Sequence, residues 1–194
     1  IFFSGHGAFN DLTTEGFFIP KGGLKNDPFQ NSYLPLTRLE RIISNIPCAH
    51  ILLTIDACYS GTFNESIALD KSDPTNPTWR RPGVDPGNGG AKAAWISAKL
   101  AKRSRICITS GGKERTSDGI EHSPLTEAFL KGLANPGEDA ILTVDELVAG
   151  LKNLQPGPKI FSFGTHQSDG SFLFIQQEKP AGFILQSNDQ TNLY

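Results

Sequence analysis

Ile51-Leu52-Leu53-Thr54-Ile55-Asp56-Ala57-Cys58 is the most strongly patterned stretch of the chain. Its first five residues form a nearly continuous apolar run rich in β-branched side chains, which is typical of a central parallel strand buried on both faces. A helix from about Thr37 to Asn45 is predicted before it, from apolar residues at helical spacing. Asp56 and Cys58 therefore lie at the carboxyl end of a strand, where open α/β sheets gather ligands and catalytic groups.

Short apolar runs alternate with helical periodicity along the rest of the chain. This alternation predicts an α/β layer fold with a mostly parallel sheet. Further strands are predicted at Ile1 to Phe3, Arg105 to Thr109 and Ser171 to Ile175, with a short extended segment at Phe17 to Ile19.

Helix starts are indicated by local capping patterns. Thr37 with Glu40, and Thr143 with Glu146, have the spacing of a capping box. Ser123-Pro124 is a good cap and first-turn pair for a helix to about Gly132. A further helix is predicted around Ala91 to Lys102. The basic run Lys99, Lys102, Arg103 and Arg105 is interpreted as its solvated end.

Length and composition limit the number of domains, the kinds of partner and the location that can be expected. A chain of 194 residues with 38% hydrophobic content can bury one core, and we predict one domain over residues 1–175 with a loosely organised tail over 176–194. A net charge of -2 argues against nucleic-acid and anionic-membrane partners. No apolar run approaches the roughly 20 residues of a membrane span. Three scattered cysteines favour a reducing, cytoplasmic location over secretion.

Cys58 is the candidate nucleophile. A cysteine attacks a carbonyl as its thiolate, so it needs a neighbouring histidine and access to substrate. His6 follows the first predicted strand, and the ends of two parallel strands can be adjacent in space. Cys107, inside a predicted strand, and Cys48 are instead interpreted as small buried hydrophobes.

The blocks Phe2-Phe3-Ser4-Gly5-His6-Gly7 and Asp56-Ala57-Cys58-Tyr59-Ser60-Gly61 resemble the caspase and metacaspase superfamily, and bacterial caspase-like proteins in particular. Softer similarity continues through His122 to Phe129 and Gly164 to Phe174. The resemblance implies a three-layer sandwich around a mostly parallel sheet. The spacing of roughly 50 residues between histidine and cysteine belongs to this resemblance and is not separate support.

The resemblance also implies the catalytic roles. His6 is expected to be the general acid/base, Cys58 the acyl acceptor, and the backbone N–H groups of Gly7 and Cys58 the oxyanion hole. Glycine at position 7 lets backbone approach a carbonyl, and one oxyanion donor is worth roughly 3 kcal/mol of transition-state stabilisation. No cofactor or metal is expected to be required. Some metacaspases require calcium, but this sequence contains no D-x-D-x-D-G motif that would support calcium binding.

Substrate preference is expected to depend on Asp56. Animal caspases carry glutamine at that place, whereas metacaspases carry aspartate and cleave after Arg or Lys, because a buried carboxylate pairs with a cationic side chain. Ser4, which matches the metacaspase serine two residues before the histidine, is expected to share the pocket. Asp56 acting merely as a turn cap is the alternative.

Residues 70–90 are rich in proline, glycine, asparagine and aspartate and are predicted to form a long surface loop. With basic specificity, Arg80 and Arg81 become a self-cleavage site, and Lys113 and Arg115 offer another. The chain opens at once on a strand pattern at Ile1, so the first strands of the fold are expected in a companion segment or adjoining domains.

Two other functions remain open. A catalytically silent member of the superfamily would serve as an interaction module, because a fold can be retained after the activity is lost. A protease with a different pocket preference would keep His6 and Cys58 but not the basic specificity. Protein or peptide substrates with basic residues are the partners expected in the preferred interpretation.

Overall fold

The computed structural model describes residues 1–63, 89–112, 121–136 and 140–176. Within them the chain forms, in order, β1 (Phe2–Ser4), β2 (His6–Asn10), β3 (Glu15–Ile19), β4 (Leu34–Pro35), α1 (Leu36–Ser44), β5 (His50–Asp56), a 3-10 helix (Ser60–Thr62), α2 (Gly89–Leu100), β6 (Ser104–Thr109), α3 (Pro124–Ala134), β7 (Ile141–Thr143), α4 (Val144–Leu151), β8 (Lys159–Ser162) and β9 (Leu173–Ile175).

The central sheet has the strand order β1-β5-β6-β8. β1 pairs with β5 and β5 with β6 in parallel, while β8 pairs with β6 antiparallel at one edge. The predicted mostly parallel α/β sheet is therefore confirmed. β8 had no counterpart in the sequence prediction. β1 is the opposite edge strand of the described sheet, and Phe2 remains 43% exposed there.

Alternating side chains of β5 point into two separate parts of the core. Ile51, Leu53 and Ile55 pack with α1, whereas Leu52 packs with α3 and α4. Both faces of the strand are thus covered, which is why its sequence is a continuous apolar run. The sheet lies between helices.

The chain leaves the central sheet immediately after β1. β2, β3 and β4 form a separate antiparallel sheet, in which Gly7 pairs with Phe18. The extended segment predicted at Phe17 to Ile19 is confirmed as part of β3. His6 follows the first strand, as predicted, but it is also the first residue of β2, a strand that the sequence did not predict.

The carboxyl-terminal strand is also placed differently from expectation. β9 covers Leu173–Ile175 and pairs antiparallel with β7 in a separate two-stranded sheet. Ser171 precedes the strand and is buried. The apolar side chains of this pair pack against the core on the side of α3 and α4.

Two of the three predicted helix caps are confirmed. The Ser123 hydroxyl accepts the Thr126 N–H at the start of α3, and Thr143 with Glu146 forms a capping box on α4. The predicted Thr37–Glu40 box is wrong. α1 begins one residue before Thr37, with Pro35 at its N-cap, and the Thr37 hydroxyl donates instead to the Glu15 carboxylate of β3.

The prediction that Arg105 belongs to a solvated helix end is wrong. Arg105 is only 2% exposed. Its guanidinium donates to the carbonyl oxygens of Ser44, Ile46 and Cys48, each at 2.7 Å. Ser44 is the last residue of α1, and Ile46 and Cys48 follow the helix. Arg105 thus donates to carbonyls at and just after a helix end, where intrahelical partners are lacking.

The interpretation of the cysteines is half correct. Cys107 is fully buried in β6, whereas Cys48 is exposed and donates its Sγ–H to the His50 carbonyl at 3.2 Å. None of the three cysteines is in a disulfide. Among the described residues, no helix combines the length and the apolar character that a membrane span requires.

Candidate active site

The two sequence blocks that carry the candidate chemistry lie side by side. Ser4 of β1 is in register with Asp56 of β5, and the Gly5 N–H donates to the Asp56 carbonyl at 3.1 Å. Because the strands are parallel and adjacent, both end at the same edge of the sheet. The expectation that these strand ends are neighbours is confirmed.

Gly7 brings the second strand end against Cys58. A Cβ atom at position 7 would stand 1.9 Å from the Cys58 carbonyl oxygen and 2.9 Å from its carbon. No side chain fits there, so the backbones at Gly7 and Cys58 are in direct contact. His6 lies between Gly5 and Gly7, each of which contacts the segment from Asp56 to Cys58. It is exposed, while Cys58 is half-buried.

The backbone turns sharply at the residue after Cys58. Tyr59 has a φ of 61° and a ψ of 12°, in the left-handed region that a bulky residue seldom adopts. Its ring stacks on Phe9 of β2, with centroids 5.9 Å apart and an interplanar angle of 20°. The 3-10 helix Ser60–Thr62 follows directly. Such strained turns concentrate at functional sites, where they fix the exposure of a reactive side chain.

Two further glycines let this turn pack closely on both sides. A Cβ at Gly16 would be 1.9 Å from the Thr62 hydroxyl, and one at Gly61 would be 2.4 Å from the Gly111 carbonyl oxygen. The Gly61 N–H also donates to the Gly112 carbonyl at 3.1 Å. The turn that carries Cys58 is thus held between β3 and the residues after β6.

Ser110, just after β6, supports the end of β5. Its N–H donates to the Ile55 carbonyl at 3.1 Å, and its hydroxyl donates to the Ala57 carbonyl at 3.0 Å. Ser110 is buried, and Ser60 approaches its hydroxyl at 3.4 Å. These bonds fix the backbone on the amino-terminal side of Cys58.

Asp56 is almost fully buried, with 4% of its surface exposed. Its Oδ2 accepts hydrogen bonds from the hydroxyls of Ser123 and Thr126, both at the start of α3. The sequence identified Ser123 as a helix cap but gave no sign that α3 begins against Asp56. Thr126 lies in the His122 to Phe129 block of similarity, but nothing in the sequence assigned it a role.

A small pocket opens at Asp56. Ser110, Ser123 and Leu125 line it, together with Gln155 and Pro156 from the segment after α4. Its cavity volume is about 10 Å³, which is room for no more than one water molecule. A long basic side chain therefore fits only if these walls move. Ser4 lies beside Asp56 in the sheet but is exposed and is not among the lining residues.

The cysteines differ in the expected reactivity of their thiols. Burial, and after it the nearby Glu40 carboxylate, raises the pKa of the Cys107 thiol well above its usual range. Because the thiolate is the reactive form, Cys107 is inert in the folded chain. Cys58 is the cysteine that combines partial exposure with a neighbouring histidine segment.

Several predicted residues fall outside the part of the chain that the structure describes: Arg80 and Arg81 of the predicted loop, Lys113 and Arg115. Residues 89 and 90, expected in that loop, instead begin α2. Within the described ranges, no group of three or more histidine, cysteine, aspartate or glutamate side chains is arranged to hold a metal ion.

No family model matches the chain, and no curated protein matches its sequence.

Proposed function

We propose that this chain is the catalytic part of a caspase-like cysteine endopeptidase that cleaves after Arg or Lys. The observation that supports this most directly is the contact of Gly7 with the Cys58 carbonyl. That contact brings the residue that follows His6 in the chain against Cys58, near the edge where two parallel strands end. The layered sheet with helices on both faces is compatible with a caspase-like sandwich.

In the proposed reaction the Cys58 thiolate attacks the scissile carbonyl, and backbone N–H groups of Gly7 and Cys58 stabilise the oxyanion. Protonated His6 gives its proton to the leaving amine as the C–N bond breaks, which leaves a thioester. Neutral His6 then takes a proton from water as the water attacks the thioester. Release of the acid restores the starting thiolate and the protonated histidine.

Basic specificity is proposed from the position of Asp56. Its buried carboxylate lines the pocket beside the strand end that leads to Cys58. A buried carboxylate favours a cationic partner, which neutralises it without water. Widening of the pocket, by movement of the wall at Gln155 and Pro156, would admit the substrate's Lys or Arg side chain.

Covalent labelling tests the proposal. A peptide chloromethyl ketone with Arg or Lys at its reactive end should alkylate Cys58, adding one inhibitor mass to the intact chain. Because Cys48 is exposed, the adduct must be mapped by peptide mass. The adduct should persist in Cys48→Ser and be lost in Cys58→Ala, and His6→Ala should slow its formation by at least about a hundredfold.

The other outcomes separate the alternatives. Labelling only by peptides with acidic or neutral ends would keep the cysteine peptidase but remove the basic specificity. If no peptide labels Cys58 although Cys48 reacts with iodoacetamide, the chain is better described as a silent interaction module.

A further inference from the structure

The carboxylate of Asp56 is held by two hydroxyls from one helix start. Ser123 and Thr126 both donate to the same oxygen, Oδ2, across sequence separations of 67 and 70 residues. The Ser123 hydroxyl also accepts the Thr126 N–H at 3.0 Å. The helix cap and the carboxylate thus share one hydrogen-bond network, which we call the hydroxyl clamp: Ser123, Thr126 and Asp56.

The two oxygens of the Asp56 carboxylate have different hydrogen-bond partners. An ionised carboxylate oxygen has about two acceptor sites, and the two hydroxyls take those of Oδ2. No donor from the described residues reaches Oδ1. In the pocket that Asp56 lines, Oδ1 is therefore the oxygen left for a ligand. The amino-terminal end of α3 adds favourable backbone dipoles beside the negative charge.

We infer that Ser123 and Thr126 are positioning residues that fix Asp56 so that it offers one oxygen to a substrate cation. This inference rests on the proposed function for its substrate. An ammonium group needs one good acceptor, whereas a guanidinium gains most from two parallel bonds to both oxygens. The clamp therefore lowers the advantage that arginine would otherwise have over lysine.

Thr126→Val tests this directly, because it removes one hydroxyl and keeps the side-chain shape. One acceptor site of Oδ2 becomes available, so the ratio of kcat/KM for Arg over Lys peptides of otherwise identical sequence should rise about tenfold. Thr126→Ser retains the hydroxyl and should keep the original ratio. Thr37→Val is the matched control, since the Thr37 hydroxyl bonds a carboxylate away from the pocket.

A stability measurement tests the clamp without any enzyme activity. In a double-mutant cycle of Asp56→Ala, which removes the acceptor, and Thr126→Val, followed by urea unfolding, the two changes should be coupled by at least about tenfold in the unfolding equilibrium constant. Additive effects would overturn the clamp.

The two tests fail in different ways. Coupling together with a ratio that Thr126→Val leaves unchanged would reduce the clamp to a structural contact and overturn its role in specificity. If the two changes are coupled but the chain cleaves neither peptide, the hydroxyl clamp is supported as a structural feature. The proposed function, and the role of the clamp in specificity, would then be wrong.

Discussion

Glycine occurs at three of the places where the turn that carries Cys58 meets its neighbours. Gly7, Gly16 and Gly61 each occupy a position where a Cβ would come within 2.4 Å of another atom. Two of those atoms are backbone oxygens, which cannot rotate away as the end of a flexible side chain can. The geometry of the candidate site therefore depends on the absence of three side chains.

Gly7→Ala should consequently damage both the site and the fold. The new methyl group would overlap the Cys58 carbonyl, and relieving such overpacking typically costs about 1–3 kcal/mol of unfolding free energy. We expect that loss in urea denaturation, with labelling of Cys58 by a basic chloromethyl ketone abolished.

Gly150→Ala is the control for the same substitution. Gly150 lies in α4, and apart from its chain neighbours and the adjacent helix backbone no atom lies within 4 Å of the Cβ position, so alanine should stabilise the chain by up to about 1 kcal/mol. If both variants lost stability equally, the close contact at Gly7 would not be the cause.

The elements that position the site are joined by buried polar contacts rather than by apolar packing alone. Arg105, near the start of β6, reaches carbonyls at and just after the end of α1. The hydroxyl clamp similarly joins the start of α3 to the end of β5. Arg105 donates to backbone carbonyls at a helix end, which lack partners within the helix, whereas Asp56 accepts from side-chain hydroxyls at a helix start.

Arg105→Lys should therefore be far from conservative. Lysine keeps the charge but lacks the planar fork that reaches several carbonyls at once. We expect a loss of about 2–4 kcal/mol in unfolding free energy, since hydrogen bonds from a buried cation would be broken or lengthened.

Arg103→Lys provides the matched comparison. Arg103 is exposed and donates through Nη1 to the Thr165 hydroxyl at 2.8 Å, so its replacement should change stability by no more than about 0.5 kcal/mol. Equal effects in the two variants would contradict a special role for the buried guanidinium.

At the scale of the whole molecule, the sheet separates two apolar clusters, and β5 and β6 contribute to both. Cys107 lies in the cluster beneath α1 and has no exposed surface. Its thiol can react only when the central sheet opens, so it reports on unfolding of the entire layer structure.

Iodoacetamide labelling, quantified separately at each cysteine, should show this. Cys48 should react at once in the native chain, and Cys107 at least about a thousandfold more slowly, in proportion to the unfolded fraction. The raised pKa of the Cys107 thiol lowers its thiolate fraction at neutral pH and acts in the same direction. Rapid native labelling of Cys107 would mean that β6 opens locally.

Much of the central layer was predictable because its signals are local. The apolar run of β5, the strand β6 and the caps at Ser123 and Thr143 depend on residues within a few positions of one another. The Thr37–Glu40 pattern is equally local but failed. Tertiary structure placed Glu15 within reach of Thr37 and began the helix one residue earlier.

The sequence by itself determined a mostly parallel α/β sheet and singled out His6, Asp56 and Cys58 near strand ends. Only the tertiary structure decided that β2 begins at His6, that Arg105 is buried, and that Thr126 holds Asp56. A strand's continuous apolar pattern predicts that both of its faces are buried, but it does not indicate which helices cover them. Which polar groups meet across 70 residues depends on how the layers pack.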